Sequence, residues 1–527
     1  MNTHKPVGKF LAAAVLCSLF TASPVWATSA TSTVEKSNTQ EDPYSSIKVE
    51  VNGNEAYGIL RSDKSANDLI VYVSGDSVLT IKDTGPATSD ASATAYGVTN
   101  INFNTSGQVL IHGILSNVSV TAQAGTVDNS STEKVSTDAK AIAYGIYRFN
   151  SNVTTDKIGN LQVEATGGTA KGGKNEKHEG HDMVHAEAEA YGFRNDSRTG
   201  TMTIRDVEKL TVTATGGSSQ GGSTLDGVKN LAYAYAYGIY NNGTMKTGNI
   251  NSLQITATGG TSESSDVVDT SADVYSYANA YGIYNGKGNL TVGDLQGAVI
   301  SAQGGTSIAK KSNVTGDATA RAYGIFSSGG TVNVTGNVNI KTSATPGTET
   351  DSTGATSPAK FGAYSLYADQ GAIINVGVDT SEGYPNANNK TVQLEGDISA
   401  QKNGTNNVIL SGSISSLQGN ILADDASTNK ITFTNGATWH PVFDNRYGSF
   451  IKDGDTTTYK ASNTVNDIST TANLTLSDKA IIDLTWDKVT RDPATAARTM
   501  TLASLSGADG VLVVNTNLAQ SVADQFI

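Results

Sequence analysis

The stretch Ala232–Gly260 reads AYAYAYGIYNNGTMKTGNINSLQITATGG. Its first half alternates Ala with Tyr, and its second alternates Leu253, Ile255 and Ala257 with Gln254 and Thr256. Both halves carry the period of two that marks a half-buried strand. The same text recurs along the chain. Ala-Tyr-Gly is centred on Tyr57, Tyr96, Tyr144, Tyr191, Tyr237, Tyr281 and Tyr323, and becomes Ala-Tyr-Ser at Tyr364, at intervals of 39, 48, 47, 46, 44, 42 and 41 residues. Cognates of LQITATGG are VSVTAQAG (118–125), LQVEATGG (161–168), LTVTATGG (210–217) and AVISAQGG (298–305). A period of this length signals a solenoid, a propeller or an array.

Comparing repeats within the chain assigns the faces. Ala139, Ala141 and Ala143 return as Ala186, Ala188 and Ala190, then as Ala232, Ala234 and Ala236, while the alternate positions change from Lys140 and Ile142 to Glu187 and Glu189 to Tyr233 and Tyr235. The constant small face is expected inward and the variable face outward, which suits a narrow coil with like residues stacked about 4.8 Å apart. The Ala-Tyr-Gly step leaves two readings open. Either Gly238 opens a bulge that turns Ile239 inward, or an exposed tyrosine column runs up one face, as a packing feature or as an aromatic strip for a ligand. One or two turns per repeat would give on the order of 15–20 rungs and a rod of roughly 70–100 Å. Thr169–Asp182, Ser218–Lys229, Thr261–Asp273 and Thr306–Asp317 are polar and variable and read as surface insertion loops.

Composition agrees with a Gly-punctuated β protein. Of 527 residues 55 are Gly and only 9 Pro, and the apolar fraction of 37% is too high for a wholly disordered chain. The formal charge of −13 lacks the basic stripe that a phosphate backbone requires, so nucleic acid is excluded as a partner. Residues 1–27 carry the marks of a secretory signal peptide: Lys5 and Lys9, the apolar run Phe10–Phe20, and Val25-Trp26-Ala27 before the cut. That run is too short for a membrane span of about 20 residues. It contains Cys17, the only cysteine, so the mature protein has no disulfide. Residues 28–46 are polar and expected to be a disordered linker, 47–370 the repeat β-helix, and 371–527 a C-terminal β-helix without the Tyr-Gly repeat.

The C-terminal stretch carries a resemblance. Leu474-Thr475-Leu476, Ile482-Asp483-Leu484, Thr501-Leu502 with Leu505-Ser506-Gly507 and Gly510, and the closing Asp524-Gln525-Phe526-Ile527 are similar to the end of a pertactin-like autotransporter passenger. The likeness covers residues 472–527; the upstream repeats resemble passenger β-helices only in style. It implies an all-β, elongated, right-handed parallel β-helix with polar insertion loops, exported by the Sec route to the periplasm. An outer-membrane β-barrel translocator would thread the passenger to the cell surface, and the matched segment would nucleate folding. The sequence stops at Ile527 before any barrel-like run, which leaves a fragment or another export route.

Candidate chemistry is sparse. His178, His181 and His185 crowd into HEGHDMVH with Glu176, Glu179 and Asp182, residue types that hold Zn²⁺ or Ni²⁺, yet without a helix or the H-E-x-x-H spacing. A solvated loop is the expectation and no metal site is assigned. Gly217–Gly221 matches G-x-S-x-G, but its polar setting lacks the strand-to-helix elbow of a nucleophilic serine. Asp424, Asp425, Asp453 and Asp455 fit either turn residues or weak Ca²⁺ contacts, and turns are the expectation. No catalytic residue and no cofactor is expected. The functional expectation is a non-enzymatic adhesin or structural rod that displays loops to host or bacterial surface molecules and is capable of self-association through open ends. The alternative is a β-helical polysaccharide-processing enzyme, lyase or hydrolase, which needs carboxylates and Lys or Arg converging on one groove.

Overall fold

A computed structural model of the protein describes residues 28–30, 33, 34, 37, 44–51, 55–61, 69–84, 93–100, 108–128, 137–149, 151–171, 183–196, 200–220, 229–264, 273–310, 315–379, 386, 387, 390–443, 447, 450–453, 456–459, 467–487, 497–517 and 520–527. The expected signal peptide, with Cys17, lies outside them. Regular structure among the described residues is all strand. The rung around Tyr237 shows the plan. Lys229–Asn241 forms the tyrosine wall, Thr244–Thr247 a second wall, Leu253–Thr258 a third, and Thr261–Glu263 a short fourth strip before Asp273–Asn285 returns to the tyrosine wall. Each strand pairs in parallel with its counterparts one repeat away, so the chain is a parallel β-helix.

Tyr191, Tyr237 and Tyr281 are direct neighbours in the register, which fixes one turn per repeat. The third wall runs through thirteen successive parallel pairings from Thr28–Ala30 to Val511–Val513. At about 4.8 Å each, that is a stack of roughly 60 Å. The rod is therefore shorter than the length expected from sequence, because one repeat supplies one turn and never two. Pairing continues without a break across residue 370. What changes there is the turn length: Asn406 pairs with Asn429 only 23 residues on, because the fourth strip and its insertion are gone.

The core follows the alternation. Ala143, Ala190, Ala236, Ala280, Ala322 and Ala363 form one inward column, each fully buried. Val163, Val212, Ile255 and Ile300 form the facing column on the third wall. The corner between second and third walls is held by a side-chain ladder: Asn249 N–H donates to Asp206, Asp294 N–H to Asn249, and Asn337 N–H to Asp294, at 2.8–2.9 Å. At the Gly-Gly corner a Cβ on Gly217 would collide with the Gly168 carbonyl of the preceding rung, so no larger residue lets the rungs approach.

Two expectations change. The first three residues of the expected loops are strand: Thr169–Lys171, Ser218–Gln220, Thr261–Glu263 and Thr306–Ile308 stack in parallel as the fourth strip. Three residues are too few to show a period. Within 28–46, expected to be disordered, Thr28–Ala30 pairs with the Tyr44–Val51 strand and Val34 bridges to Ile59 with 5% exposure. Backbone pairing and one buried apolar side chain outweigh the polar composition there.

Candidate functional site

The outward side of the tyrosine wall concentrates the chain's chemically versatile groups. Gly238 answers the question left open by the sequence. A Cβ there would meet Leu253 and Ile255 in the core, and the next residue, Ile239, is also fully buried. Two consecutive residues thus face inward, a reversal of facing that every stacked rung shares, since Tyr237 pairs with Tyr281 and Ile239 with Ile283 without a shift of register, so it is not a bulge in the ladder. Tyr237 before it and Tyr240 after it both face outward. The inward turn of Ile239 and the tyrosine column coexist, and the column is partly covered: Tyr144, Tyr191, Tyr323 and Tyr364 show 7%, 4%, 6% and 1% exposure, and Tyr57, Tyr96, Tyr237 and Tyr281 are half-buried.

The rings stack face to face from Tyr57 through Tyr96, Tyr144, Tyr191, Tyr237, Tyr281 and Tyr323 to Tyr364, with centroids 4.7–5.3 Å apart and planes within 17°. A second column three residues on consists of Tyr147, Arg194, Tyr240, Tyr284, Phe326 and Tyr367. It meets the first edge to face, as in Tyr237–Tyr240 at 5.4 Å and 87°. Stacked and perpendicular aromatic pairs each add about 0.5–1.5 kcal/mol beyond burial. Because both faces of the inner rings are taken by neighbouring tyrosines, an aromatic strip open to a sugar is not what the column offers.

Arg194 replaces an aromatic ring in the second column. Its guanidinium carbon lies 4.6 Å from the Tyr191 centroid and 5.1 and 5.3 Å from those of Tyr240 and Tyr144. It donates to the Tyr144 hydroxyl at 3.0 Å and pairs with Asp196 at 2.8 Å. Beside it sits a charged cluster. Lys140 Nζ lies 2.6 Å from Glu187 Oε2 and 3.3 Å from Glu189 Oε1, and Tyr191 donates its hydroxyl to Glu189 Oε2 at 2.9 Å. Burial, with the neighbouring Glu189 charge, raises the Glu187 carboxyl above its ordinary range. Burial also acts to raise Glu189, but Lys140 and the hydrogen bonds from Glu187 and Tyr191 outweigh it and hold Glu189 low. Burial pushes the neighbouring Tyr147 phenol up to about 12. A lysine and two carboxylates do converge, as the enzyme alternative requires, yet Glu187 is only 5% exposed.

The residues singled out by sequence are placed as follows. His185 lies 3.3 Å from Glu187 Oε2 and 3.7 Å from Asp138 Oδ1, while His178 and His181 lie outside the described residues. Among the described residues no three His, Cys, Asp or Glu gather as a metal site would need. Ser219 is fully buried in a column and donates to Ser262 Oγ at 3.0 Å, which donates to the Asn230 carbonyl at 2.8 Å. The G-x-S-x-G match is thereby a packing feature. Asp424 accepts from the Lys402 and Ala426 amides in a turn. Asp455 lies outside the described residues, and Asp453 ends a hairpin strand.

Sequence reasoning missed a buried polar column. Asn195 donates to Asn241 Oδ1 at 2.7 Å and Asn241 to Asn285 Oδ1 at 2.8 Å, all three fully buried. Asn285 donates on to Ser327, and at the other end the buried Arg148 guanidinium donates to Asn195. Burial lowers the Arg148 guanidinium to about 10. The signal was present as an Asn four residues after Tyr191, Tyr237 and Tyr281. No family model, no curated protein and no solved structure matches the chain.

Proposed function

We propose that the chain is a non-enzymatic rod of the autotransporter-passenger kind, exported to the cell surface, that presents its insertion segments for attachment or cell–cell contact. The observation that supports this is positional. The segments that follow Asp128, Lys171, Gln220, Ser264 and Lys310 all leave the end of the fourth strip and return at the start of the tyrosine wall. Five successive rungs therefore anchor variable polar sequence along one edge, on a scaffold whose walls are closed by stacked side chains. Repeat architectures commonly bind through such a one-sided array. An outer-membrane barrel as translocator, the Sec-dependent leader and self-association through the rod ends belong to the same proposal, with the resemblance of residues 472–527 behind them.

Replacing residues 172–182 and 221–228 with short Gly-Ser linkers tests the reading. Attachment of the full chain to cells is expected to fall while its melting temperature stays unchanged. The polysaccharide-processing alternative draws on the Lys140–Glu187–Glu189 cluster. Glycan depolymerisation by the purified chain that disappears in Glu187→Gln would overturn the proposal in its favour.

A further inference from the structure

The tyrosine wall has a middle that differs from its flanks. Lys229–Asn241 and Asp273–Asn285 each present four tyrosines, all half-buried, whereas Tyr191 and Tyr323 on the rungs to either side are covered. Among the described residues, the strands packed against these two are their neighbours along the wall and the other walls of the coil. Charge lies at the margins of this aromatic middle, and it is ordered. Along the register one column runs Glu189, Tyr235, Asn279, Arg321. A second runs His185, Leu231, Tyr275, Asp317, and a third Arg194, Tyr240, Tyr284, Phe326. In each, the residue at one end suits the residue at the other: carboxylate and guanidinium, imidazole and carboxylate, guanidinium and aromatic ring. Within one chain the two ends stand three rung spacings apart, roughly 14 Å, and do not meet.

We propose that a second copy of this chain covers the face, with the two rods side by side and antiparallel. A two-fold axis along the strand direction, midway between the Tyr237 and Tyr281 rungs, inverts the order of the rungs and keeps each column opposite itself. It sets Glu189 against the partner's Arg321, His185 against the partner's Asp317, and Arg194 against the partner's Phe326, each contact made twice. Tyr237 then faces the partner's Tyr281, and the tyrosines of the central rungs fill the space between the sheets, about 10 Å for sheets packed face to face. Glu189 keeps Lys140 and Tyr191 as its own partners, and Asp317 accepts from Tyr277 at 3.3 Å, so neither carboxylate is bare in a lone copy. One like-charged pairing, Lys140 against the partner's Lys360, falls at the rim, where Lys360 is exposed and Lys140 is held by Glu187. The rungs from Tyr144 to Tyr364, by about ten residues of strand, outline roughly 900 Å² on each copy, close to the ~800 Å² that a standard interface buries per partner. The chain as a whole carries −13, which opposes association elsewhere; on this face the signs are matched. A contact of this symmetry closes at two copies, whereas contact through the rod ends would keep adding them, and it rests on no part of the export reading.

Sedimentation equilibrium of the full chain should show monomer and dimer and no larger species. Glu189→Arg and Arg321→Glu should each weaken the dimer about tenfold or more, since each sets like charges opposite one another twice. Mixing the two variants should restore it, because Arg at both positions of one copy then meets Glu at both positions of the other. Lys209→Glu, exposed and away from the face, should change nothing. A measurement without substitutions covers the case in which a reversal unfolds the rung, which melting curves will show. Equal parts of ordinary and isotope-labelled chain are treated with an amine cross-linker, and the heavy–light linked peptides are mapped. Antiparallel pairing joins Lys140 to Lys360, whereas parallel rods would join Lys140 to Lys140. A chain that stays monomeric at every concentration measured, whatever glycan or peptide the face then takes up, would overturn the proposal. So would folded variants that fail to restore association on mixing, a dimer without Lys140–Lys360 links, or species that keep growing beyond two copies, the mark of contact through the rod ends.

Discussion

Single side chains in this protein act through columns, so the effect of a substitution depends on its neighbours one rung above and below. Asn241 both accepts from Asn195 and donates to Asn285 while fully buried. Asn241→Leu leaves the Asn195 amide and the Asn285 carbonyl without that partner, and chemical denaturation should register a loss of about 1–3 kcal/mol. The two glutamates of the charged cluster should respond to pH in opposite directions. Glu187 has a folded-state value above its unfolded one, so it contributes stability below its ordinary range, and that contribution is lost as pH rises through the raised value. Glu189 is held low, so its contribution is present above its ordinary range and is lost as pH falls through the depressed value. At neutral pH Glu187→Gln is therefore expected to raise the melting temperature and Glu189→Gln to lower it; equal shifts of one sign would refute the assignment. None of this cluster was legible in the sequence. Lys140 lies a full turn before Glu187 and Glu189, and all three looked like freely varying surface positions, because only the register brings the lysine to the carboxylates.

The rung is the next unit up, and here the sequence was more informative. Strict Ala alternation against a varying partner identified the inward face correctly, since a close-packed wall admits only a small residue at those positions. The same parity argument left two readings open at Gly238, because a local reversal of facing that all rungs share changes the parity of everything after it without a trace in the repeat spacing. The number of turns per repeat was equally illegible: a period in sequence states how often a pattern returns, not how many walls the chain visits before it does. One turn per repeat has a direct consequence. Deleting Tyr237–Ala280 joins Ala236 to Tyr281 and preserves the Ala-Tyr-Gly frame, the inward turn after it and the Asn column. The variant should fold, shorter by one rung, with circular dichroism of the same shape and a smaller radius of gyration in solution scattering. By contrast, Ile482 and Leu484 are fully buried under Trp439, whose indole donates to the Gly419 carbonyl at 2.8 Å. Ile482→Asp places a carboxylate there without a partner, at a cost of several kcal/mol, and loss of cooperative unfolding is the expected outcome.

Along the whole rod each rung contacts chiefly its neighbours, so stability is a sum of rung and interface contributions and varies with what each rung buries. The repeat rungs face the core with Ala on one wall, whereas beyond Val392 the core receives Leu394, Leu410, Leu417, Phe433, Trp439 and Leu474, and the turns from Leu394 to Trp439 take only 22 or 23 residues each. More apolar area per ordered residue means a larger surplus over conformational entropy. The very last rung departs from this. Leu505, Val511 and Leu512 are 41–44% exposed: among the described residues Thr499–Ser506 finds a further strand only at Thr499 and Met500, and Val511–Val513 pairs only with Ile481–Asp483. The stability maximum is therefore expected between Val392 and Leu484. Under limited proteolysis, cuts should come first at Lys174, Lys177 and the other basic residues of the insertion segments, and the nicked rod should stay assembled through its parallel ladders. Next should come the final rung, and last the stretch from Val392 to Leu484. A protected core mapping to residues 47–250, with the C-terminal third digested first, would reverse this gradient. It would also mean that the repeat columns, rather than the bulky C-terminal core, hold the rod together.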